Sequence, residues 1–269
     1  MSAHDQLLVV IDPVARRIDG ESVRIVKDVL CAGAEAKICL PDGPEEFSRA
    51  LARRGARRLV VVGDDRALLR AVAVLHHGRE LADEALSLVP VGAGPSVGLA
   101  RSLGVPTGAV VTAARAVLDG VAHHRDLLVD DSDGLVLGGL RIPAGATAVS
   151  PDPHPGSVWD ACRSLVRTLV HPAPPAPAAP VHRLRVEVDG VLLSDVDEPV
   201  EDVRVRADEG VAEVTVLRRA DAEPVRARAR TVTVSGPDFR YRADDLVTGP
   251  IGRRTWTLSP KAWSLTLPG

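Results

Sequence analysis

Val60-Val61-Val62-Gly63-Asp64-Asp65-Arg66-Ala67-Leu68 is an apolar run that stops at a glycine and two acids, then resumes with helical spacing. Downstream, Pro90-Val91-Gly92-Ala93-Gly94-Pro95-Ser96-Val97-Gly98-Leu99-Ala100-Arg101-Ser102-Leu103-Gly104-Val105-Pro106 has the same form. Each stretch sits where a strand gives way to a helix, the usual place for a phosphate-binding turn. In both, positions that such a turn needs as glycine or hydroxyl carry other side chains.

Working outward, the first half alternates strand and helix. Leu7–Ile11, Ala36–Leu40, Arg58–Gly63 and Ser87–Val91 read as strands, and Asp12-Pro13 reads as a break after the first. Ser22–Ala32, Arg66–His77, Ser96–Leu103 and Thr107–Gly120 read as helices. A further helix starts at Asp42-Gly43-Pro44-Glu45-Glu46, with a cap, a proline in the first turn and acids near the positive end. Short apolar strands between helices imply a parallel sheet covered on both faces.

The character changes near His123. Leu127–Asp130 and Leu135–Ile142 read as strands joined by Asp131-Ser132-Asp133-Gly134. That loop lacks the spaced ligands and distal glutamate of an EF-hand, so it reads as a hairpin turn. Pro151–Gly156 reads as irregular, Ser157–His171 as a helix, and the Pro/Ala run at 172–180 as a stiff connector. Beyond it, Val181–Val188, Val203–Ala207, Val211–Leu217, Val225–Val234, Phe239–Arg242, Arg253–Leu258 and Trp263–Leu267 read as strands of a sandwich-like set. The expected architecture is therefore α/β + β. Residues 1–122 form an α/β nucleotide-binding-type domain with a parallel sheet, and residues 123–269 an antiparallel β-sandwich of substrate-binding type.

Composition narrows the function. A chain of 269 residues that is 45% hydrophobic can bury a sizeable core. A net charge of −3 argues against a general nucleic-acid binder, and 2% aromatic content leaves few stacking platforms. Cys31, Cys39 and Cys162 form no CxxC pair and read as buried thiols of a reducing cytoplasm. No signal peptide and no apolar span of about 18 residues is visible, so a cytoplasmic protein is expected. A lipid ligand would require it to visit the inner membrane surface peripherally.

The layout and loops together resemble the diacylglycerol kinase-like lipid kinase family, cousins of the NAD kinases. Leu8-Val9-Val10-Ile11-Asp12-Pro13 looks like that family's opening strand, which usually ends in Asn-Pro. Val60 to Leu68 aligns with its Gly-Gly-Asp-Gly-Thr-Leu loop. Pro90 to Pro106 aligns with Pro-x-Gly-Thr-Gly-Asn-Asp-Phe-Ala-Arg-x-Leu-Gly-x-Pro, with two extra residues. Arg125-Asp126-Leu127 looks like the strand that opens the second domain. Val232 to Asp245 resembles the final strand pair, which normally ends in Asp-Gly-Glu. The resemblance covers nearly the whole chain and implies a site in the cleft between the two domains.

Residue by residue, the chemistry is eroded. Val62 replaces a glycine and cannot readily take positive φ. Asp65 replaces another; a carboxylate roughly 4 Å from a phosphate costs about 4 kcal/mol at an effective dielectric of about 20. Arg66 replaces threonine and could grip phosphate instead. Ala67, Leu68 and Leu69 read as helix packing. Gly92 and Gly94 persist, but Ala93 replaces threonine, and Pro95 removes a backbone donor. Ser96 reads as a helix cap. Asp244 persists in the position the resemblance assigns to a general base, followed by Asp245 for glycine and Leu246 for glutamate. The Phe-x-Asn and Gly-rich segment expected in the second domain is replaced by Leu140-Arg141-Ile142-Pro143-Ala144-Gly145.

Two functions follow from the resemblance, with a different ligand in the interdomain cleft as the remaining alternative. One is a pseudokinase with a regulatory or binding role, with a lipid, a membrane surface, a protein or a second copy as partner. The other is an active lipid kinase using ATP and Mg2+, with Gly63, Asp64, Arg66, Gly92 and Gly94 at the nucleotide and Asp244 as base. No metal ligand set is read. His76-His77 and His123-His124 are adjacent pairs that point to different helix faces, so neither chelates alone. Arg53-Arg54 with Arg57-Arg58 reads as a solvated helix end, or a contact for anionic lipid.

Overall fold

Strand β1 (Gln6–Ile11) is the centre of a parallel sheet with β2 (Glu35–Cys39), β3 (Arg58–Gly63) and β4 (Ser87–Pro90), ordered β2-β1-β3-β4. The computed structural model describes residues 6–83, 85–144, 181–219 and 223–269. The expectations for Pro151–Gly156, Ser157–His171, the connector at 172–180 and Cys162 lie outside the described residues. Continuous valine runs suit this sheet because both faces are covered. Leu8, Val10 and Val61 pack under α3 (Pro44–Ala52) and α4 (Asp65–His77). Leu7, Val9, Val60 and Val62 pack under α2 (Gly20–Gly33) and α6 (Val110–Asp119).

Asp12-Pro13 does more than end a strand. The Asp12 carboxylate accepts from Val14 N, and Pro13 opens a short helix, α1 (Pro13–Ile18). Proline suits a first helical position because its missing N–H has no intrahelical partner there. The second loop forms a 3-10 turn at Gly94–Val97 and then α5 (Gly98–Ser102). Among the described residues, no helix is long and apolar enough to cross a membrane.

The second unit opens directly after α6 with β5 (Val121–Asp130), so His123 and His124 lie on a strand, where the sequence reading put a helix. The hairpin turn at Asp131-Ser132-Asp133-Gly134 leads to β6 (Leu135–Val136) and β7 (Leu140–Ile142). There follow β8 (Arg185–Val188), β9 (Val191–Ser194), β10 (Val200–Asp208), β11 (Val211–Arg218), β12 (Val225–Ala229), β13 (Thr231–Ala243) and β14 (Leu246–Leu267). Their order is β12-β11-β10-β7-β13-β14-β5-β6, with β8 on β13 and β9 on β8. This antiparallel sheet encloses a core that includes Trp256, Phe239 and Tyr241. Tyr241 and Trp256 meet edge to face, with centroids 5.1 Å apart.

The two units share one seam. Leu86 N donates to Ser264 O at 2.8 Å, and Thr266 N donates to Leu86 O at 2.9 Å. Ser87 Oγ donates to Thr266 Oγ1 at 2.9 Å. Trp263, Leu265 and Leu267 of β14 enter the core beneath α4 and α5. The cleft between the units is therefore bounded by a packed, hydrogen-bonded seam.

Candidate functional site

The β3–α4 turn begins at Gly63, where a Cβ would lie 2.7 Å from Ala67 Cβ and 3.0 Å from Asp12 Cβ. Glycine is required there by close packing. Asp64 then caps α4, its carboxylate accepting from Ala67 N at 3.1 Å. Arg66 is exposed and has no hydrogen bond or ion pair among the described residues. Ala67 and Leu68 are fully buried against the sheet.

Asp65 departs from expectation. Its side chain does not project toward a phosphate position; it is turned inward and is only 1% exposed. Oδ2 accepts from Leu99 N at 2.7 Å and Oδ1 from Ala100 N at 2.8 Å. These are first-turn donors of α5, which have no partner within their own helix. The residue thus latches the first loop to the second. Burial pushes its carboxyl above the usual aspartate range, the two N–H groups pull it down, and the charges of Asp245 and Asp64 push it up again.

The second loop closes on the first. A Cβ on Gly92 would lie 2.5 Å from Ser96 Oγ and 3.4 Å from Asp64 Cβ, whereas one on Gly94 would meet nothing within 4 Å. Ser96 is not the expected helix cap: its hydroxyl donates to Ala93 O at 2.9 Å. Beside the first loop, Asp12 Oδ2 accepts from Arg70 Nη1 at 2.7 Å. Arg70 lies over the Phe47 ring, 5.3 Å from its centroid. Sequence reasoning missed this pair, since nothing local links positions 12 and 70.

Asp244 sits at the tip of the β13–β14 hairpin with φ of 48°. Its carboxylate accepts three backbone N–H groups, from Leu137 at 3.0 Å, Gly138 at 2.7 Å and Gly139 at 3.2 Å. Burial pushes its carboxyl up, the three donors pull it down, and the Asp245 charge pushes it up. A Cβ on Gly138 would lie 2.8 Å from Leu99 Cδ1 and 3.1 Å from Asp244 Oδ1. Leu137-Gly138-Gly139 is therefore a glycine-bearing segment lining the site, just before the Leu140–Gly145 stretch where the resemblance expects it. The acids Asp64, Asp65 and Asp245 and the anchored Asp244 thus converge where α4, α5 and the hairpin meet.

A cavity of about 580 Å³ opens beside them, within the usual range for ligand pockets. Ser102, Arg125, Asp126, Gly138, Arg206 and Lys261 are among its lining residues. Asp126 is fixed in place: its carboxylate accepts from Gly210 N at 2.6 Å and Lys261 N at 2.8 Å. Arg125 Nη2 donates to Leu103 O at 2.8 Å, while its Nε is buried without a partner.

Two other sequence readings change. His76 and His77 do not diverge: their Nε2 atoms lie 3.1 and 3.2 Å from the two oxygens of Asp133. Among the described residues no three ligand-type side chains are arranged to hold a metal ion. The Arg53–Arg58 cluster is also dismantled. Arg54 is buried against Glu80, and Arg58 donates to Val117 O at 2.6 Å. Arg57 donates to Arg54 O at 3.4 Å.

A parallel α/β unit followed by an antiparallel sheet, with acids gathered at their junction, defines a two-unit fold of the diacylglycerol kinase type. Among the solved structures that share it are three of diacylglycerol kinases from Bacillus anthracis strain Sterne, two of them named "putative". Their TM-scores are 0.71, 0.70 and 0.69, each at 13% identity, covering 99% of this chain and 98% of the other. At that identity the likeness is one of fold. No protein-family model and no curated protein sequence matches the chain.

Proposed function

We propose that this is a diacylglycerol kinase-like protein that does not transfer phosphate and acts by binding in its interdomain cleft. The observation that carries the reading is the Asp65 latch. Its carboxylate takes the Leu99 and Ala100 N–H groups, donors that a nucleotide loop would offer to phosphate. Val62 is locked into the sheet core, Pro95 offers no N–H, and Leu246 stands where the resemblance expects an acid. These residues do not fit ATP with Mg2+.

One observation favours the second reading, an ATP-dependent lipid kinase. The Asp244 carboxyl is raised above the ordinary aspartate range by burial, which makes it a stronger base. Its three N–H partners weigh against this, because they use the lone pairs a base needs. Thermal shift and calorimetry with ATP and Mg2+, followed by turnover on diacylglycerol vesicles, decide the matter. No binding at millimolar ATP is expected. Turnover that Asp244→Asn abolishes would overturn the proposal.

A further inference from the structure

The outer edge of the parallel sheet is open. Among the described residues β2 pairs with β1 alone, so its other side has no strand. A second cavity, of about 330 Å³, lies there between β2 and α3. Ligand pockets begin at about this size. It shares no lining residue with the cleft cavity. It also lies at the opposite end of the sheet from β4, beside which the seam with the second unit runs.

Two periodicities build this pocket. On β2, Lys37 and Cys39 alternate with Ala36 and Ile38, and they stand beside Leu8 and Val10, whose side chains pack under α3. On α3, Glu46, Arg49, Ala50 and Arg53 stand at i, i+3, i+4 and i+7 and form one stripe along the opening. Phe47 and Leu51, each one position further on, are fully buried and hold the helix to the sheet. The floor is therefore apolar, made by Leu8, Pro41 and Ala50 with the half-buried Cys39.

The rim is cationic. Arg49 Nη2 lies 3.9 Å from Glu46 Oε1, a loose pair that cancels in charge. The side chains of Lys37 and Arg53 have no hydrogen bond or ion pair among the described residues. Arg53 is thus the member of the Arg53–Arg58 cluster whose guanidinium stays free. Two unpaired cations over an apolar floor match an amphipathic anion. Free phosphate would gain nothing from the floor, and a neutral apolar ligand nothing from the rim. Guanidinium favours a flat partner, because it grips carboxylate in a fork and stacks on aromatic faces.

We propose that this edge pocket is a second ligand site, which takes a small aryl carboxylate. The ring lies on Leu8, Cys39 and Ala50, and the carboxylate is held by Arg53 and Lys37. The site needs neither the cleft nor the nucleotide loops, so it stands or falls separately from the function proposed for them.

The test is calorimetry of the full chain with 2-naphthoate and with its neutral amide. A Kd of about 0.1 mM is expected for the acid, with the amide about tenfold weaker. Cys39 reports the position of the ligand. At about 1 mM, naphthoate should slow its alkylation by iodoacetamide about tenfold, while the exposed Cys31 on α2 reacts at an unchanged rate, as peptide mass spectrometry reads. Arg53→Gln, at an exposed position, should weaken binding about tenfold, and the equally exposed Arg226→Gln on β12 should leave it unchanged. Circular dichroism confirms that both variants fold. Equal binding of acid and amide, or no binding at about 1 mM, overturns the proposal. Binding that neither protects Cys39 nor depends on Arg53 also overturns it and moves the ligand to the cleft. So does Cys39 protection that rises with protein concentration in the absence of ligand, alongside a dimer in sedimentation, which would make the occupant a second copy of the chain.

Discussion

Replacing Asp65 by alanine tests the latch directly. The substitution removes two charge-assisted hydrogen bonds and strands two N–H groups at the start of α5. Bonds to a charged group are worth about 1.5–3 kcal/mol each. Burial of the carboxylate offsets part of that sum, as its raised pKa indicates. A net loss of about 2–4 kcal/mol is expected, which lowers Tm by about 5–15 °C for a fold of this size. The sign of the pH effect follows from the same shift. A folded-state pKa above the unfolded one gives stability that is present at low pH and lost as pH rises through the folded value. Alanine has no such group, so the gap between wild type and variant widens on acidification from neutrality toward the ordinary aspartate range. Urea unfolding at about pH 7 and about pH 5, followed by fluorescence of the buried Trp256 and Trp263, measures both quantities. A variant within about 0.5 kcal/mol of wild type, or a gap that narrows in acid, would refute the reasoning.

Other perturbations follow from the same geometry. Asp244→Ala strands the Leu137–Gly139 donors and should cost about 2–4 kcal/mol in urea unfolding; Asp244→Asn, which tolerates positive φ, should cost less. Arg70→Gln leaves Asp12, with a side chain only 3% exposed, without its cation and should cost about 1–3 kcal/mol by the same measurement. Gly138→Ala drives a Cβ into Leu99 and should cost about 1–3 kcal/mol, with faster amide exchange at Leu137 and Gly138. Asp130 has the opposite sign to Asp65. Burial raises its pKa, but donors from Ser132 and Gly134 and the Arg254 charge together hold it below the ordinary range. The penalty for Asp130→Asn should therefore be largest near neutrality and shrink as pH falls, as paired unfolding titrations would show.

The alternation of apolar runs was legible, because parallel strands buried on both faces leave continuous valine and leucine. Asp64 and the loop positions were legible for the same reason: a turn between strand and helix is a local event. The direction of the Asp65 side chain was not. It depends on α5 arriving beside α4, a contact between residues far apart in sequence. Asp12-Pro13 was legible as the break after β1, which ends at Ile11; that the same pair also starts a helix shows only in the Val14 hydrogen bond. The strand Leu246–Leu267 read as two because Pro260 interrupts it; the ladder instead absorbs Pro260 in a bulge between Ser259 and Trp263.

The seam at Leu86 has a consequence for how the chain is made. The first unit's last edge is closed by Ser264 and Thr266, and its core is completed by Trp263 and Leu265. During synthesis, residues 6–119 leave the ribosome long before those partners exist. Until then the nascent α/β half carries an open strand edge and a bare apolar patch, the two features that invite chaperones and misassembly. Its final step of folding waits for β14, and once closed the two units should melt as one.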